Sequence, residues 1–197
     1  MRDDVLLNDV FVHPRGLCES SSVGAGTRVW AFAHVMDQAR VGRDCNVGDG
    51  AYIEGGAVVG DRVTVKNQVM IFDGVTIEND VFLGPGVTFT NDLTPRAHLK
   101  LSGDALLQTR VQTGATLGAR VVVVCGVTVG ANAFVGAGAV VVRDVPAHGF
   151  LVGNPGRVIG WACRCGRRLP AELVCRCGRR YGLTNTPQGA QLDEVDR

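Results

Sequence analysis

The sequence predicts an all-β protein, a parallel β-helix of hexapeptide repeats with an inserted loop and a small C-terminal cysteine module. Apolar residues recur at every sixth position from residue 17 to residue 89, and a second such series runs from residue 111 to residue 141. Four positions further on, both series carry small or β-branched residues. Glycine, with 27 residues, often follows the apolar position. A six-residue phase held for so long is typical of coiled β-structure.

The six-residue period corresponds to a short strand followed by a corner, because side chains along a strand alternate with a period of two. One large and one small inward residue per hexad fill the narrow interior of a triangular prism. Three hexads then form one coil, and successive coils stack at about 4.8 Å through parallel strand pairing. Glycine suits the corners because it accepts positive φ without a steric penalty.

The phase breaks between about residues 90 and 110, which predicts a loop inserted into one coil. A β-helix gains no stability from a long loop, and loops on rigid scaffolds often carry function, so we expect a functional loop. Pro146 and Pro155 cannot donate to a strand ladder and predict the end of the coils. The chain thus divides into a β-helix domain at 1–160, a zinc-ribbon-like module at 161–183 and a polar, disordered tail at 184–197.

Composition and charge argue against several classes of protein. The net charge is +1, and no basic stripe interleaved with aromatic residues indicates nucleic-acid binding. The first residues lack a basic start and an unbroken apolar stretch, and no segment approaches the roughly 20 apolar residues of a membrane span. Seven cysteines, an odd number, fit a reducing compartment better than a disulfide framework. We therefore expect a cytoplasmic protein that binds neither nucleic acid nor membrane.

Five segments carry a closer resemblance. They are FTNDLTPRA at 89–97, HP at 13–14, VWAFAHV at 29–35, GVTIENDVFLGPGV at 74–87 and VGNPGR at 152–157. Together they resemble the nucleotide-sugar 3-N-acetyltransferases, which act on UDP-2-acetamido-3-amino-2,3-dideoxyglucuronate or on dTDP-3-amino-3,6-dideoxyhexoses. The resemblance implies a left-handed coil, a homotrimer with active sites between subunits, acetyl-CoA as co-substrate and a role in surface polysaccharide synthesis.

Two residues are candidates for the catalytic centre. In the family that this sequence resembles, the residue matching Asn91 lies beside the reacting amine, and the sulfur of CoA finally takes the proton. The alternative is that Asn91 only shapes the turn before Pro95, as asparagine often does. His34 precedes an inward residue and therefore points outwards, where it suits either a general base or an interface histidine satisfied by hydrogen bonds.

Four residues are candidates for binding the sugar substrate. Asp92 is expected to hold the loop or the substrate ammonium group. Lys66 and Asn67 fall where relatives often carry Gln-Asn, so the lysine is a departure from the family pattern. Arg96 or Lys66 is the expected partner of the carboxylate if the sugar is a uronate.

Two sets of residues are candidates for binding CoA. Glycine-rich corners offer backbone N–H groups to pantetheine and thioester, and a cation near the end of the coils can meet a phosphate. The resemblance places the nucleotide end of CoA near the GNPGR segment. The candidates are Gly118, Gly136, Arg143, Asn154, Pro155 and Arg157.

The last motif reads C-R-C-G-x₈-C-R-C-G and contains Cys163, Cys165, Cys175 and Cys177. Two such knuckles predict a structural zinc site of four thiolates, although zinc knuckles usually place two residues between the cysteines. Free thiols are the alternative. For the protein as a whole, the remaining alternatives are an acyltransferase with another small amine or hydroxyl acceptor and a non-catalytic trimeric scaffold.

Overall fold

The computed structural model describes residues 5–7, 9–99, 101, 103–186 and 189–195. The strands are, in chain order, β1 (Val5–Leu7), β2 (Val10–Val12), β3 (Leu17–Cys18), β4 (Arg28–Val29), β5 (His34–Val35), β6 (Arg40–Val41), β7 (Asn46–Val47), β8 (Tyr52–Ile53), β9 (Val58–Val59), β10 (Thr64–Val65), β11 (Met70–Ile71), β12 (Val75–Ile77), β13 (Phe82–Leu83), β14 (Thr88–Phe89), β15 (Thr109–Val111), β16 (Thr116–Leu117), β17 (Val122–Val123), β18 (Thr128–Val129), β19 (Phe134–Val135), β20 (Val140–Val141), β21 (Gly149–Val152), β22 (Arg157–Trp161), β23 (Arg180–Thr186) and β24 (Gly189–Val195). A 3₁₀ turn covers Gly103–Ala105. Within these ranges, no helix has the length and apolar character needed to cross a membrane.

The strands stack into three parallel sheets, which form the three faces of a prism. Face A contains β2, β4, β7, β10, β13, β16, β19 and β21; face B contains β3, β5, β8, β11, β14, β17 and β20; face C contains β6, β9, β12, β15 and β18. The chain visits A, B and C in turn, so corner AB, corner BC and corner CA join the faces in each coil. The prediction of an all-β parallel β-helix is confirmed, and its handedness stays a prediction.

Coils are numbered here by their strand on face A, from coil 1 (β2) to coil 8 (β21). The inward side chains form one continuous apolar core, with one aliphatic or aromatic residue from each strand and a small or β-branched one from each corner. Phe89, Ile53 and Ile71 are among the largest fully buried side chains. The hexad period therefore specifies the core, as the sequence indicates.

The first coil departs from the predicted phase. Val12 pairs with Val29 and Cys18 with Val35, so this coil is one residue shorter than the 18-residue step seen for Val47 and Val65. Leu17 is consequently 50% exposed, and Cys18 packs against the core in its place. The expectation that the inward series begins at Leu17 is wrong by one residue.

Glycine occupies the corners mainly because neighbouring coils approach closely. A Cβ on Gly84 would lie 2.7 Å from the backbone nitrogen of Ala119, which no side chain tolerates. Positive φ occurs two residues later in the turn, where non-glycine residues such as Gln68 and Arg120 also adopt it, at 59° and 57°. Close packing, rather than the positive φ that the sequence suggests, explains glycine directly after the strand.

A separate small module follows the last coil. β22 pairs antiparallel with β21, and two short loops then carry the four clustered cysteines. β23 and β24 form an antiparallel hairpin whose Tyr181 and Leu192 are buried with Cys163 in a second core. The prediction of a disordered tail from residue 184 is therefore wrong for 184–186 and 189–195, because these residues pair as two strands and Leu192 packs into the module core.

Candidate active site

Asn91 lies at corner BC, where the inserted loop of residues 90–108 leaves coil 5. The preceding Phe89 is fully buried, and the hydroxyl of Thr90 accepts a hydrogen bond of 3.0 Å from the backbone N–H of Cys125 in the next coil. Asn91 itself is half-buried. In the part of the chain that the structure describes, its side-chain amide has no hydrogen-bond partner. A rigid scaffold thus presents an amide that is free to bind a ligand.

The loop beyond Asn91 is shaped by its own polar groups. The carboxylate of Asp92 accepts a hydrogen bond of 2.8 Å from the backbone N–H of Thr94, which fixes a tight turn. Arg96 is exposed and donates to the carbonyl oxygen of Pro95 at 3.0 Å. The structure supports the loop-holding role expected for Asp92. Four leucines of the loop are exposed, namely Leu93, Leu99, Leu101 and Leu107.

His34 lies on the outer side of face B in coil 2, next to Glu19 and Tyr52. Its Nε2 donates to a Glu19 carboxylate oxygen at 2.9 Å, and the hydrogen bond lowers the pKa of that carboxyl. The Tyr52 ring packs edge-on against the imidazole with centroids 5.7 Å apart. No sequence pattern indicates Glu19 as a partner of His34, since it is 15 residues away along the chain and adjacent only because coils stack.

The structure does not bring His34 and Asn91 together. Three steps of face B, from β5 through β8 and β11 to β14, separate their coils. At about 4.8 Å per step the two residues differ in height along the prism by roughly 14 Å. Lys66 and Asn67 lie in coil 4 at corner AB, which is a different edge of the prism from Asn91.

The N–H groups of Gly118 and Gly136 are already used within the β-helix, so a CoA-binding role for these corners depends on the residues beside them. Gly118 donates to the carbonyl oxygen of Val135, and Gly136 to that of Leu151, each at 2.8 Å. These hydrogen bonds connect neighbouring coils and use both donors. The residues that follow, Ala119 and Ala137, have no acceptor for their N–H groups among the described residues.

Ala119 and Ala137 line a cavity of about 430 Å³ that follows corner AB across coils 4 to 7. Its other lining residues are Gln68, Pro85, Gly86, Arg120 and Gly138. The sequence signal for these donors was the alanine after each glycine, but only the coil-to-coil hydrogen bonds show which of the two N–H groups is free. The cavity combines free N–H donors with one arginine, which suits a chain-like ligand with phosphate groups.

The segment Asn154–Pro155 forms a turn at corner AB of coil 8. The N–H of Gly156 donates to the carbonyl oxygen of Val140 at 2.8 Å, so the end of the turn lies above the start of β20, on the face-B side of this corner. Arg157 begins β22 and is exposed. Arg143 is also exposed but lies at corner BC of coil 7, so the two arginines occupy different edges of one chain.

The four cysteines of the C-terminal module converge. Their sulfur atoms all lie within 4.8 Å of one another, and Cys163–Cys177 and Cys165–Cys175 are each separated by 3.6 Å. The pKa of the Cys177 thiol is lowered to about 6, first by the backbone N–H of Arg179 and then by the neighbouring Cys175. These residues lie apart from the loop and the cavity.

Comparison with known sequences defines the class of protein. Residues 20–55 match the family described as bacterial transferase hexapeptide (six repeats). Residues 38–73 and 109–143 match the hexapeptide repeat of succinyl-transferase. Together with the three-faced coil, these matches define a hexapeptide-repeat transferase.

A relative among characterised proteins narrows the class. Over 159 residues the chain is 52% identical to dTDP-3-amino-3,6-dideoxy-alpha-D-galactopyranose 3-N-acetyltransferase from Aneurinibacillus thermoaerophilus, covering 81% of this chain and 82% of the relative. This chain belongs to the family of nucleotide-amino-sugar N-acetyltransferases, which confirms the resemblance carried by the FTNDLTPRA loop.

Solved structures show the same fold. The acetyltransferase domain of PglB from Neisseria gonorrhoeae FA1090, in complex with acetyl coenzyme A, aligns with a TM-score of 0.56 at 22% identity. The alignment covers 77% of this chain and 58% of that domain, so this chain spans less than two thirds of it. A hexapeptide-repeat acetyltransferase from Vibrio cholerae O1 biovar eltor, complexed with acetyl coenzyme A, aligns with a TM-score of 0.53 at 26% identity, covering 61% of this chain and 69% of the other.

Proposed function

We propose that this protein transfers the acetyl group of acetyl-CoA to the 3-amino group of a nucleotide-linked amino sugar, in a step towards surface polysaccharide. The observation that carries the proposal is the Asn91 amide, held by buried neighbours and free to bind a ligand, in a chain 52% identical to an enzyme of this activity. That relative favours a dTDP-3-amino-3,6-dideoxyhexose over a UDP-linked uronate. A cytoplasmic location follows, since acetyl-CoA and nucleotide sugars are made there.

The reaction requires little covalent chemistry from the protein itself. The neutral amine attacks the thioester carbonyl, a nitrogen–carbon bond forms, the carbon–sulfur bond breaks, and the departing CoA thiolate takes the proton from nitrogen. The Asn91 amide oxygen accepts a hydrogen bond from the amine and directs its lone pair at the carbonyl. The free backbone N–H groups of Ala119 and Ala137 stabilise the oxyanion as it develops. Orientation of amine and thioester supplies the remaining rate enhancement.

The candidate residues follow one another, coil by coil, along the prism axis. Lys66 and Asn67 lie in coil 4, Asn91 in coil 5, the free N–H groups of Ala119 and Ala137 in coils 6 and 7. The Asn154 turn lies in coil 8. We place the sugar nucleotide towards the lower coils and CoA along the upper ones, with its nucleotide end near Arg157. His34, roughly 14 Å below Asn91, lies too far to reach the same amine.

A homotrimer completes this site. Face B is the most apolar face, because its outward strand residues other than His34 and Thr88 are Leu17, Tyr52, Met70, Val122 and Val140, whereas face A combines phenylalanines with polar residues. Face C instead presents Arg40, Val58, Thr76, Arg110 and Thr128. We propose that face B of each subunit faces a threefold axis. Three prisms arranged so meet at the edges of that face, and corner AB of one subunit then lies against corner BC of its neighbour.

This arrangement explains why the candidate residues of a single chain lie on two different edges of the prism. The cavity lies at corner AB and the Asn91 loop at corner BC, and only the trimer places a loop against a neighbouring cavity. The exposed leucines of the loop then acquire an apolar partner, since large exposed apolar patches mark interaction surfaces. A threefold rotation about an axis parallel to the prism keeps heights unchanged. Asn91 in coil 5 therefore faces the lower end of the neighbouring cavity, which spans coils 4 to 7.

Replacing Val122 with glutamate is expected to break the trimer. Val122 is half-buried on the outer side of face B, and the three copies would place like charges near one axis. Size-exclusion chromatography with light scattering should show a monomer, and acetyl transfer should fall with the loss of trimer. Val58→Glu is the matched control, since Val58 is the equivalent half-buried, outward residue on face C. A trimeric Val122→Glu, or a Val58→Glu monomer, would contradict the choice of face.

Thiol release tests the function directly. Purified protein is incubated with acetyl-CoA and a panel of dTDP- and UDP-linked 3-amino sugars, and free CoA thiol is followed with a chromogenic disulfide. We expect turnover with a dTDP-3-amino-3,6-dideoxyhexose and an acetylated product by mass spectrometry. Turnover only with the uronate would favour Lys66 or Arg96 as its carboxylate partner. A folded trimer that releases no thiol with any of these sugars would contradict the proposal.

A further inference from the structure

We propose that the C-terminal module binds one Zn²⁺ ion through the thiolates of Cys163, Cys165, Cys175 and Cys177, and that this ion holds the module together. Nothing in the acetyl-transfer site uses these four residues. The proposal therefore goes beyond the proposed function and stands on separate observations.

The positions of the sulfur atoms fit a tetrahedral metal site. A Zn–S bond of about 2.3 Å gives a tetrahedron of sulfur atoms with edges of about 3.8 Å. Two pairs that join opposite loops, Cys163–Cys177 and Cys165–Cys175, lie at 3.6 Å, and all four sulfur atoms lie within 4.8 Å. A disulfide requires about 2.05 Å and joins only two of them. Convergence of all four thiols is the arrangement of a metal site.

The two loops that hold the thiols are copies of one another. Each reads C-R-C-G-R-R, and they start 12 residues apart. The N–H of Gly166 donates to the carbonyl oxygen of Cys163 at 2.8 Å. The N–H of Gly178 makes the same bond to Cys175 at 2.9 Å, and both glycines have positive φ. This turn brings the two thiols of each loop to one side with a single residue between them, which accounts for the short spacing.

The surroundings also fit a charged cluster. Four thiolates around Zn²⁺ carry a net charge of about −2, which nearby donors stabilise. Arg179 donates to the sulfur of Cys177 at 3.5 Å. The Tyr181 hydroxyl lies 3.2 Å from the sulfur of Cys163 and accepts a hydrogen bond from the N–H of Arg164, so its own proton points to the sulfur. The module carries six arginines, namely Arg164, Arg167, Arg168, Arg176, Arg179 and Arg180.

The module is too small to fold on apolar burial alone. Its core contains five buried residues, Cys163, Leu169, Cys175, Tyr181 and Leu192. Cores of this size are usually supported by a disulfide or a metal. Two of the five are metal ligands here, so only three buried residues remain for apolar packing. The ion with its thiolates therefore forms the centre of the module core. Four protein thiolates leave no open coordination position, which makes the zinc structural.

The module is joined to the last coil through His148. The N–H of Ala162 donates to the carbonyl oxygen of His148 at 2.6 Å, and His148 Nδ1 donates back to the carbonyl oxygen of Ala162 at 2.9 Å. Ala162 directly precedes the first ligand and follows β22, the strand that starts at Arg157. The metal therefore fixes the end of the strand that leaves the Asn154–Pro155 turn.

Metal analysis of the full-length, reduced protein tests the site. After dialysis against zinc and then metal-free buffer, we expect one zinc ion per chain in the wild type and in Cys18→Ser. Cys18 is half-buried in the first coil and serves as the matched control. Cys175→Ser should lose the zinc. Exchange of zinc for Co²⁺ in the wild type should give thiolate-to-cobalt charge-transfer bands and tetrahedral d–d bands. This measurement uses only the wild-type protein and therefore does not depend on whether a cysteine variant folds.

Limited trypsin digestion gives a second readout that is independent of activity. The six arginines supply cleavage sites throughout the module, and zinc should protect them. After a chelator removes the ion, we expect cleavage within residues 161–195 while the coils stay intact. Wild-type protein without bound zinc and without cobalt–thiolate bands would overturn the proposal, whatever the acetyltransferase assay shows. Intact mass showing two disulfides in the protein as purified would overturn it as well.

Discussion

Replacing Asn91 with alanine is expected to lower kcat for acetyl transfer by about 10²-fold to 10³-fold, the usual effect of removing one preorganised hydrogen-bonding group at a reacting centre. Phe89 is buried before it, and Thr90 is bonded to the next coil, so the backbone at Asn91 keeps its position in the variant. What is lost is the acceptor that orients the amine. We expect a small change in KM for acetyl-CoA, because the cavity at corner AB is untouched.

Two control variants make this result specific. Asn185→Ala removes the same side chain from an exposed position in β23 and should leave kcat unchanged. His34→Asn should lower kcat by less than about tenfold, because His34 lies roughly 14 Å from Asn91 along the axis. A general base normally contributes about 10²-fold to 10⁴-fold. A loss of that size in His34→Asn, with Asn91→Ala nearly active, would reverse the assignment of the two residues.

The sequence predicted the coils well because their physics is local. An inward side chain every sixth residue must be apolar, since the prism has no other place for it, and Val47, Val65 and Leu83 obey this rule in register. The first coil fails the rule because a coil can lose one residue at a corner without losing its core. Cys18 then takes the inward position expected for Leu17, and Val12 is buried in the strand before it.

The sequence predicted the site less well because its parts are set by stacking. Asn91 was chosen from its motif and stays a prediction, whereas the N–H groups of Gly118 and Gly136 proved to be used between coils. No pattern in the local sequence indicates that Glu19 lies beside His34. The hairpin of residues 180–195 was missed because its composition is polar, whereas its stability depends on a few side chains such as Leu192 that reach the module core. Contacts between distant segments are not encoded in spacing.

Replacing Phe89 with alanine is expected to lower the free energy of unfolding by about 3–5 kcal/mol, the usual cost of emptying a buried phenylalanine site. Phe89 is fully buried, and among the described residues it is the largest fully buried side chain. β14 carries it between β11 and β17, with Phe89 in register with Val123. Rigid coils above and below prevent the backbone from closing the cavity, so the loss should fall at the upper end of this range. Urea unfolding at fixed protein concentration, followed by circular dichroism, measures it.

Phe82→Ala is the matched control for this prediction. Phe82 begins the neighbouring strand β13 in the same coil, but its side chain points outwards from face A and is 39% exposed. Both variants remove the same atoms, and only Phe89→Ala leaves an enclosed cavity, so the control should lose much less stability. Equal losses would mean that the interior of the coil collapses around small side chains. In that case a large inward side chain would not be needed to stabilise the coil that carries Asn91.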